Sequence, residues 1–234
     1  MKIGICIPSR GQMEIGTAFD LAVMCAYDAK TRQGSLAIYT VNGTLIFDQR
    51  NNLVRTALNE GCDYILFIDA DMRFPKDTIE RLVSLDLPIV GVNATTRGHP
   101  VRPTAKNLKV NVEEKTNEWL PVDSKDKKEV EQVSAIGCGV MLVKAEVFRK
   151  TPEPWFWFYI LPGDKIMGED VHFCIQAYDA GFNTFCDHAL SNLIGHVGSY
   201  TYSWTDINGS DELHKPKDER SKLPRKKRSN KRHS

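Results

Sequence analysis

The sequence predicts an α/β protein: a mostly parallel sheet flanked by helices, in one domain over residues 1–205, followed by a basic tail over 206–234. Three observations carry this. Strand-like apolar runs alternate with helix-period segments three times in succession, the pattern of a right-handed parallel sheet. The third run, Ile65 to Ile68, is apolar at every position, as in a strand buried on both faces. Hydrophobic residues make up 41% of the 234, enough for a real core.

Taken in order, Lys2 to Ile7 reads as a strand closed by Pro8-Ser9-Arg10-Gly11. Ile15, Ala18, Phe19, Ala22, Val23 and Ala26 recur at helical spacing and predict an amphipathic helix up to about Lys30. Ser35 to Val41 is a second strand, ended by Asn42-Gly43. A second helix starts near Asp48 as N-cap, buries Leu53, Val54, Ala57 and Leu58, and stops at Gly61. After the third strand, Pro75 and Asp77 open another helix, and Ile89 to Val92 is a strand. Polar residues dominate from Gly98 to Lys128, a β-rich insertion or loop. Val130 to Ile136 and Val140 to Val143 flank Gly137-Cys138-Gly139, where the glycines point to a close backbone approach or a bulge. A short helix follows over Lys144 to Lys150, then an aromatic run from Pro152 to Ile160 and a loop from Gly163 to Gly168. Glu169-Asp170 opens a helix that ends at Gly181, and Phe182 to Cys186 is a strand. Leu193 to Gly198 is the last ordered motif.

The net charge of +1 hides an asymmetry. Lys215 to Ser234 holds ten Lys/Arg and two acids, a net of +8, while the remainder holds 21 bases and 28 acids, a net of −7. A mildly acidic body thus ends in a basic, apolar-poor segment expected to be disordered. The six cysteines, at 6, 25, 62, 138, 174 and 186, show no paired metal spacing. They read as small core residues of a reducing compartment, and a cytoplasmic location is expected. The first residues read as a strand rather than an export signal, and no apolar run is long enough for a bilayer.

The chemistry gathers at Asp69-Ala70-Asp71. In an extended chain alternate side chains share a face, so Asp69 and Asp71 are expected to project together with Ala70 turned away. Two acids at the carboxyl end of a buried strand sit where open α/β sheets bind ligands. Such a pair suits a hard divalent cation and, through it, a phosphate. The plain alternative is that the acids only end the strand.

Other motifs follow in a fixed order: Pro8-Ser9-Arg10 after a strand, Arg50-Asn51-Asn52-Leu53-Val54 on a helix, Gly137-Cys138-Gly139 before Pro154-Trp155-Phe156, Gly168-Glu169-Asp170 at a helix start, and Gly195-His196-Val197-Gly198. In that order the sequence resembles the GT-A-fold glycosyltransferases, in particular small family-2-like enzymes of phages and bacteria, over roughly Lys2 to Tyr200. The resemblance implies transfer of a sugar from a nucleotide-sugar donor to an acceptor hydroxyl. It implies a divalent metal at Asp69, Asp71 and His196, with Asp69 nearer the ribose. Donor contacts would come from Pro8, Ser9, Arg10, Asn42, Arg50 and Asn51. Asp170, or Glu169 beside it, would be the catalytic base. Trp155 and Trp157 could stack on an acceptor sugar. Carboxylates with one imidazole suit manganese better than magnesium.

Each residue also has a plainer reading. Glu169 and Asp170 are ordinary first-turn acids, His196 a structural histidine, and one of the two tryptophans a core residue. Cys138 has no neighbouring base in the sequence and reads as packing rather than a nucleophile. No Gln-x-x-Arg-Trp motif is present, which argues against a processive synthase, and the acidic cluster that holds the donor base in many relatives is missing. A haloacid-dehalogenase-like phosphatase also places Asp-x-Asp after a strand, but near the chain start. A nucleic-acid-binding protein could use residues 215–234 as a cationic arm, alone or to bring the enzyme to modified DNA. The acceptor, whether glycan, lipid-linked sugar, protein or modified DNA, stays open, as does inversion or retention.

Overall fold

The computed structural model describes residues 1–32, 34–98, 100–111, 116–161, 165–198 and 201–202. The expected basic tail lies outside the described residues. The chain opens with β1 (Lys2–Ser9), α1 (Ile15–Thr31), β2 (Ser35–Asn42), α2 (Ile46–Asn59), β3 (Tyr64–Ile68), β4 (Met72–Arg73), α3 (Thr78–Ser84) and β5 (Ile89–Gly91). It continues with β6 (Lys106–Asn111), β7 (Thr116–Pro121), β8 (Val130–Val133), β9 (Val140–Lys144), α4 (Ala145–Lys150), β10 (Tyr159–Leu161) and β11 (Lys165–Met167). It closes with α5 (Glu169–Asp179), β12 (Thr184–Asp187), α6 (His188–Ser191), β13 (Gly195–Val197) and β14 (Thr201–Tyr202).

Seven strands form the main sheet in the order β2-β1-β3-β9-β5-β12-β8. β2, β1 and β3 run parallel, and β5 runs parallel to β12. β9 lies antiparallel between β3 and β5, and β8 antiparallel at the β12 edge. Five strands therefore share one direction, a mixed sheet with the expected parallel character. β3 shows why its run is wholly apolar: Ile65 and Phe67 enter the core on one face, Leu66 and Ile68 the core on the other. The first core is rich in stacked rings, with Phe148 and Phe156 each against Phe173.

Three local expectations change. The stripe on α1 faces outward: Ile15 is 85% and Phe19 66% exposed, while Thr17, Met24 and Asp28 are buried. Asp28 is neutralised there by Arg32 one turn on, so a charged residue can hold the inner face. Asp48 lies in the first turn of α2, not at its cap, and accepts from Asn52. Lys165–Met167, read as loop, is strand β11 paired to β10; residues 163 and 164 lie outside the described part. The 98–128 insertion contains the β6–β7 hairpin.

Candidate functional site

A cleft of about 740 Å³ opens beyond the carboxyl ends of β1 and β3. Pro8, Ser9, Arg10, Asp69, Asp71, Arg97 and His196 all line it. The chain builds its floor by a turn. β3 ends at Ile68, and the Met72 amide bonds back to the Asp69 carbonyl at 3.3 Å. The extended geometry expected for residues 69–71 is therefore replaced by this turn, and Ala70 lines the cleft together with both aspartates. The Asp69 amide donates to the Gly139 carbonyl at 3.0 Å, so the start of β9 anchors the turn. A Cβ on Gly139 would sit 3.2 Å from the Met72 sulfur, which accounts for glycine at that close approach.

The two aspartates have different partners. Asp71 Oδ1 lies 3.3 Å from His196 Nε2, and its Oδ2 lies 2.8 Å from Arg97. His196 reaches it because β13 pairs with β4, His196 opposite Met72, and the Val197 amide donates to the Asp71 carbonyl at 2.7 Å. His196 Nδ1 donates to the Thr95 carbonyl at 2.7 Å, which leaves Nε2 to face Asp71. Burial opposes the charged form of both, but their pairing more than offsets it: Asp71 is held below the usual carboxylate range and His196 above the usual imidazole range.

Asp69 instead accepts from Arg50 at 2.8 Å. Arg50 is buried and its other terminal nitrogen holds Glu169. Burial alone would depress the guanidinium, but Asp69 and Glu169 overcome this and raise it. Burial pushes the Glu169 carboxyl up, and Arg50 draws it only part of the way back. Arg50 thus clamps two carboxylates, one from the end of β3 and one from the first turn of α5. The Asn51 side-chain amide donates to the Phe156 carbonyl and accepts from the Phe156 amide, so both its ends are engaged in the core.

Asn42 ends β2 opposite Ser9, exposed, beside the backbone bond from Gly43 to the Ser9 carbonyl. Glu169 and Asp170 form the first turn of α5, and Asp170 accepts from the Val171 amide. Trp155 is 4% exposed, and its indole donates to the Phe148 and Thr151 carbonyls. It fills the core and presents no face for stacking. Trp157 is 42% exposed, stacked on Phe158 and edge-on to Phe47. The Cys138 thiol is buried and pushed well up, which agrees with packing rather than nucleophilic chemistry.

The sequence reading missed Arg97 in the cleft and Gln49, whose side chain accepts from the Ser9 amide at 2.8 Å. It also missed Glu129, Glu131 and His188. Among the described residues, their ligand atoms are the one group of three lying within 4.8 Å of one another. That group sits on the β8–β12 edge, where Lys127 pairs with Glu131 at 2.8 Å as Arg97 pairs with Asp71 in the cleft. In the cleft, Asp71 and His196 converge as two ligand atoms of the right chemistry for a divalent cation, with a carbonyl fixing the imidazole tautomer. Asp69 keeps one carboxylate oxygen clear of Arg50.

No family model matches the sequence, and no curated protein matches it. Solved structures do. The catalytic domain of Drosophila beta1,4galactosyltransferase 7 in complex with xylobiose is 18% identical, with a TM-score of 0.50 over 84% of this chain and 71% of that one. A mutant of that enzyme with manganese, UDP-Gal and xylobiose is 16% identical, with a TM-score of 0.50 over 97% and 81%. GalNAc-T7 with UDP, GalNAc and Mn2+ is 10% identical, with a TM-score of 0.54 over 86% of this chain and 43% of that one. At these identities the likeness establishes a shared fold, the GT-A fold that the motif order anticipated.

Proposed function

We propose that the protein is a divalent-metal-dependent glycosyltransferase that moves a sugar from a nucleotide-sugar donor to an acceptor hydroxyl. The observation that carries this reading is the convergence of Asp71, fixed His196, Asp69, Ser9 and Arg10 on one cleft at the carboxyl edge of the sheet. The fold shared with structures that hold UDP and Mn2+ supports it.

Asp71 and His196 would hold the cation, with Asp69 beside them, and manganese fits this carboxylate–imidazole set better than magnesium. A cation bound there supplies Lewis-acid neutralisation of the departing nucleoside diphosphate. Ser9 and Arg10, at the end of β1, border the donor, with Asn42 at the neighbouring strand end. Arg50 holds Asp69 and Glu169 in fixed orientations, and so places the first turn of α5 next to the donor side. Asp170 accepts the proton of the acceptor hydroxyl as that oxygen attacks the sugar carbon. Trp157, partly exposed within its cluster with Phe47 and Phe158, supplies the aromatic surface for an acceptor sugar.

The test is hydrolysis and transfer with UDP-, GDP-, dTDP- and CMP-sugars, with and without manganese. Manganese-dependent turnover of one donor is the expected result, and Asp71→Asn should reduce it at least about 100-fold together with manganese affinity. Phosphatase activity without turnover of any sugar nucleotide would overturn the reading, as would an Asp71→Asn enzyme with both properties intact.

A further inference from the structure

The apolar stripe that α1 turns outward has the layout of an interface. From Ile15 to Ala29 its exposed positions are Ile15, Phe19, Ala22, Val23, Ala26 and Ala29, and none carries a charge. Positions 15, 19, 22, 26 and 29 alternate spacings of four and three, the seam of one helix lying along another. The outward stripe of a sheet-covering helix is ordinarily polar, and contiguous apolar surface on a soluble protein marks an interaction site.

We propose that this seam pairs with α1 of a second copy of the chain, antiparallel, about a two-fold axis passing at Ala22. Three features select that occupant. The bulky Ile15 and Phe19 lie in the N-terminal half of the stripe, and Ala26 and Ala29 in the C-terminal half. Antiparallel pairing sets Phe19 over the partner's Ala26 and Ile15 over the partner's Ala29, bulk into space. Parallel pairing would set bulk on bulk and alanine on alanine. Ala22 at the crossing point lets the two helix axes approach closely. Finally, exposed Glu14 and Lys30 bracket the stripe. Arg32 and Arg73 are held by Asp28 and Asp20, whereas no ion pair engages Glu14 or Lys30 among the described residues. Only the antiparallel pair brings each Glu14 to the partner's Lys30, once at each end. A lipid surface would call for cations along the flank of the stripe. The flank here carries Asp20, whose charge Arg73 balances, and no Lys or Arg lies on the helix between Ile15 and Ala29.

A single helix pair of this length lies at the small end of specific interfaces, so the dimer should be concentration-dependent. Sedimentation velocity on the full chain over a concentration series reads it, with a reversible monomer–dimer equilibrium expected. Phe19→Glu should raise the dissociation constant at least about tenfold. Glu14→Lys and Lys30→Glu should each weaken the dimer, and the double exchange should restore it. Both charged positions are exposed, so this arm stands even where Phe19→Glu perturbs the fold. A monomer at every concentration overturns the proposal. So does a dimer indifferent to both arms, or a monomer that cosediments with phosphatidylcholine vesicles through Phe19.

Discussion

Asp69 and Asp71 are separated by one residue yet answer to different neighbours. Asp71 faces the cleft with His196 and Arg97, while one oxygen of Asp69 is committed to Arg50. That division gives each a distinct expected phenotype. Arg50 lies between two carboxylates in a buried setting, and its removal leaves both without a counterion. Arg50→Ala should therefore cost about 3–5 kcal/mol of unfolding free energy in urea titration. Asp170 stands at the first turn of α5 with no part in that clamp. Asp170→Asn should lower kcat by about 100- to 10,000-fold and leave donor binding nearly unchanged by calorimetry. A parallel loss of donor affinity would instead place Asp170 on the donor.

At the scale of elements, short strands and single turns carry the site. β13 is three residues long, yet its pairing with β4 delivers His196 to Asp71 across the sequence. α2 uses consecutive residues for separate tasks: Arg50 reaches toward Asp69 and Glu169, and Asn51 clasps Phe156. The far edge behaves differently. Lys127 at 2.8 Å holds the Glu131 carboxyl below its ordinary range, with His188 adding to this against a smaller opposing effect of burial. A depressed folded-state pKa contributes stability above the unfolded value of about 4.3 and loses it as pH falls through the folded value. Glu131→Gln should therefore cost at most about 1 kcal/mol at neutral pH, since the group is partly solvated. The difference from the parent should shrink as pH falls below the ordinary carboxylate range in a pH series of urea melts.

For the molecule as a whole, the two cores on either side of the sheet fix where the cleft opens, and binding there should be felt globally. A ligand at about a hundredfold excess over its dissociation constant adds about 2.7 kcal/mol to stability. In a chain of this size that corresponds to a rise of roughly 5–10 °C in Tm. Manganese with the matching nucleoside diphosphate should produce such a rise in the parent and none in Asp71→Asn. Among the described residues no helix is long and apolar enough to cross a membrane. The Phe47–Trp157–Phe158 cluster, which starts from the first turn of α2, holds the exposed Trp157.

Runs of like residues determined the early architecture from the sequence alone. Periodicity is a local property, so three strand–helix units, the wholly apolar β3 and the acids at its end were legible before any contact was known. The same holds for the order of motifs that anticipated the GT-A fold. Orientation was not legible. The outward face of α1, the antiparallel β9 within the sheet and the burial of Trp155 each depend on what lies opposite, which one stretch of chain does not encode. Arg97 and Gln49 lay in segments without a motif and became site residues only because folding brought them to the cleft. The hold of Arg50 on Glu169, 119 positions away, is likewise a product of packing. Local pattern set which elements form, and the low-dielectric interior, by demanding a partner for every buried charge, decided which side chains face the cleft.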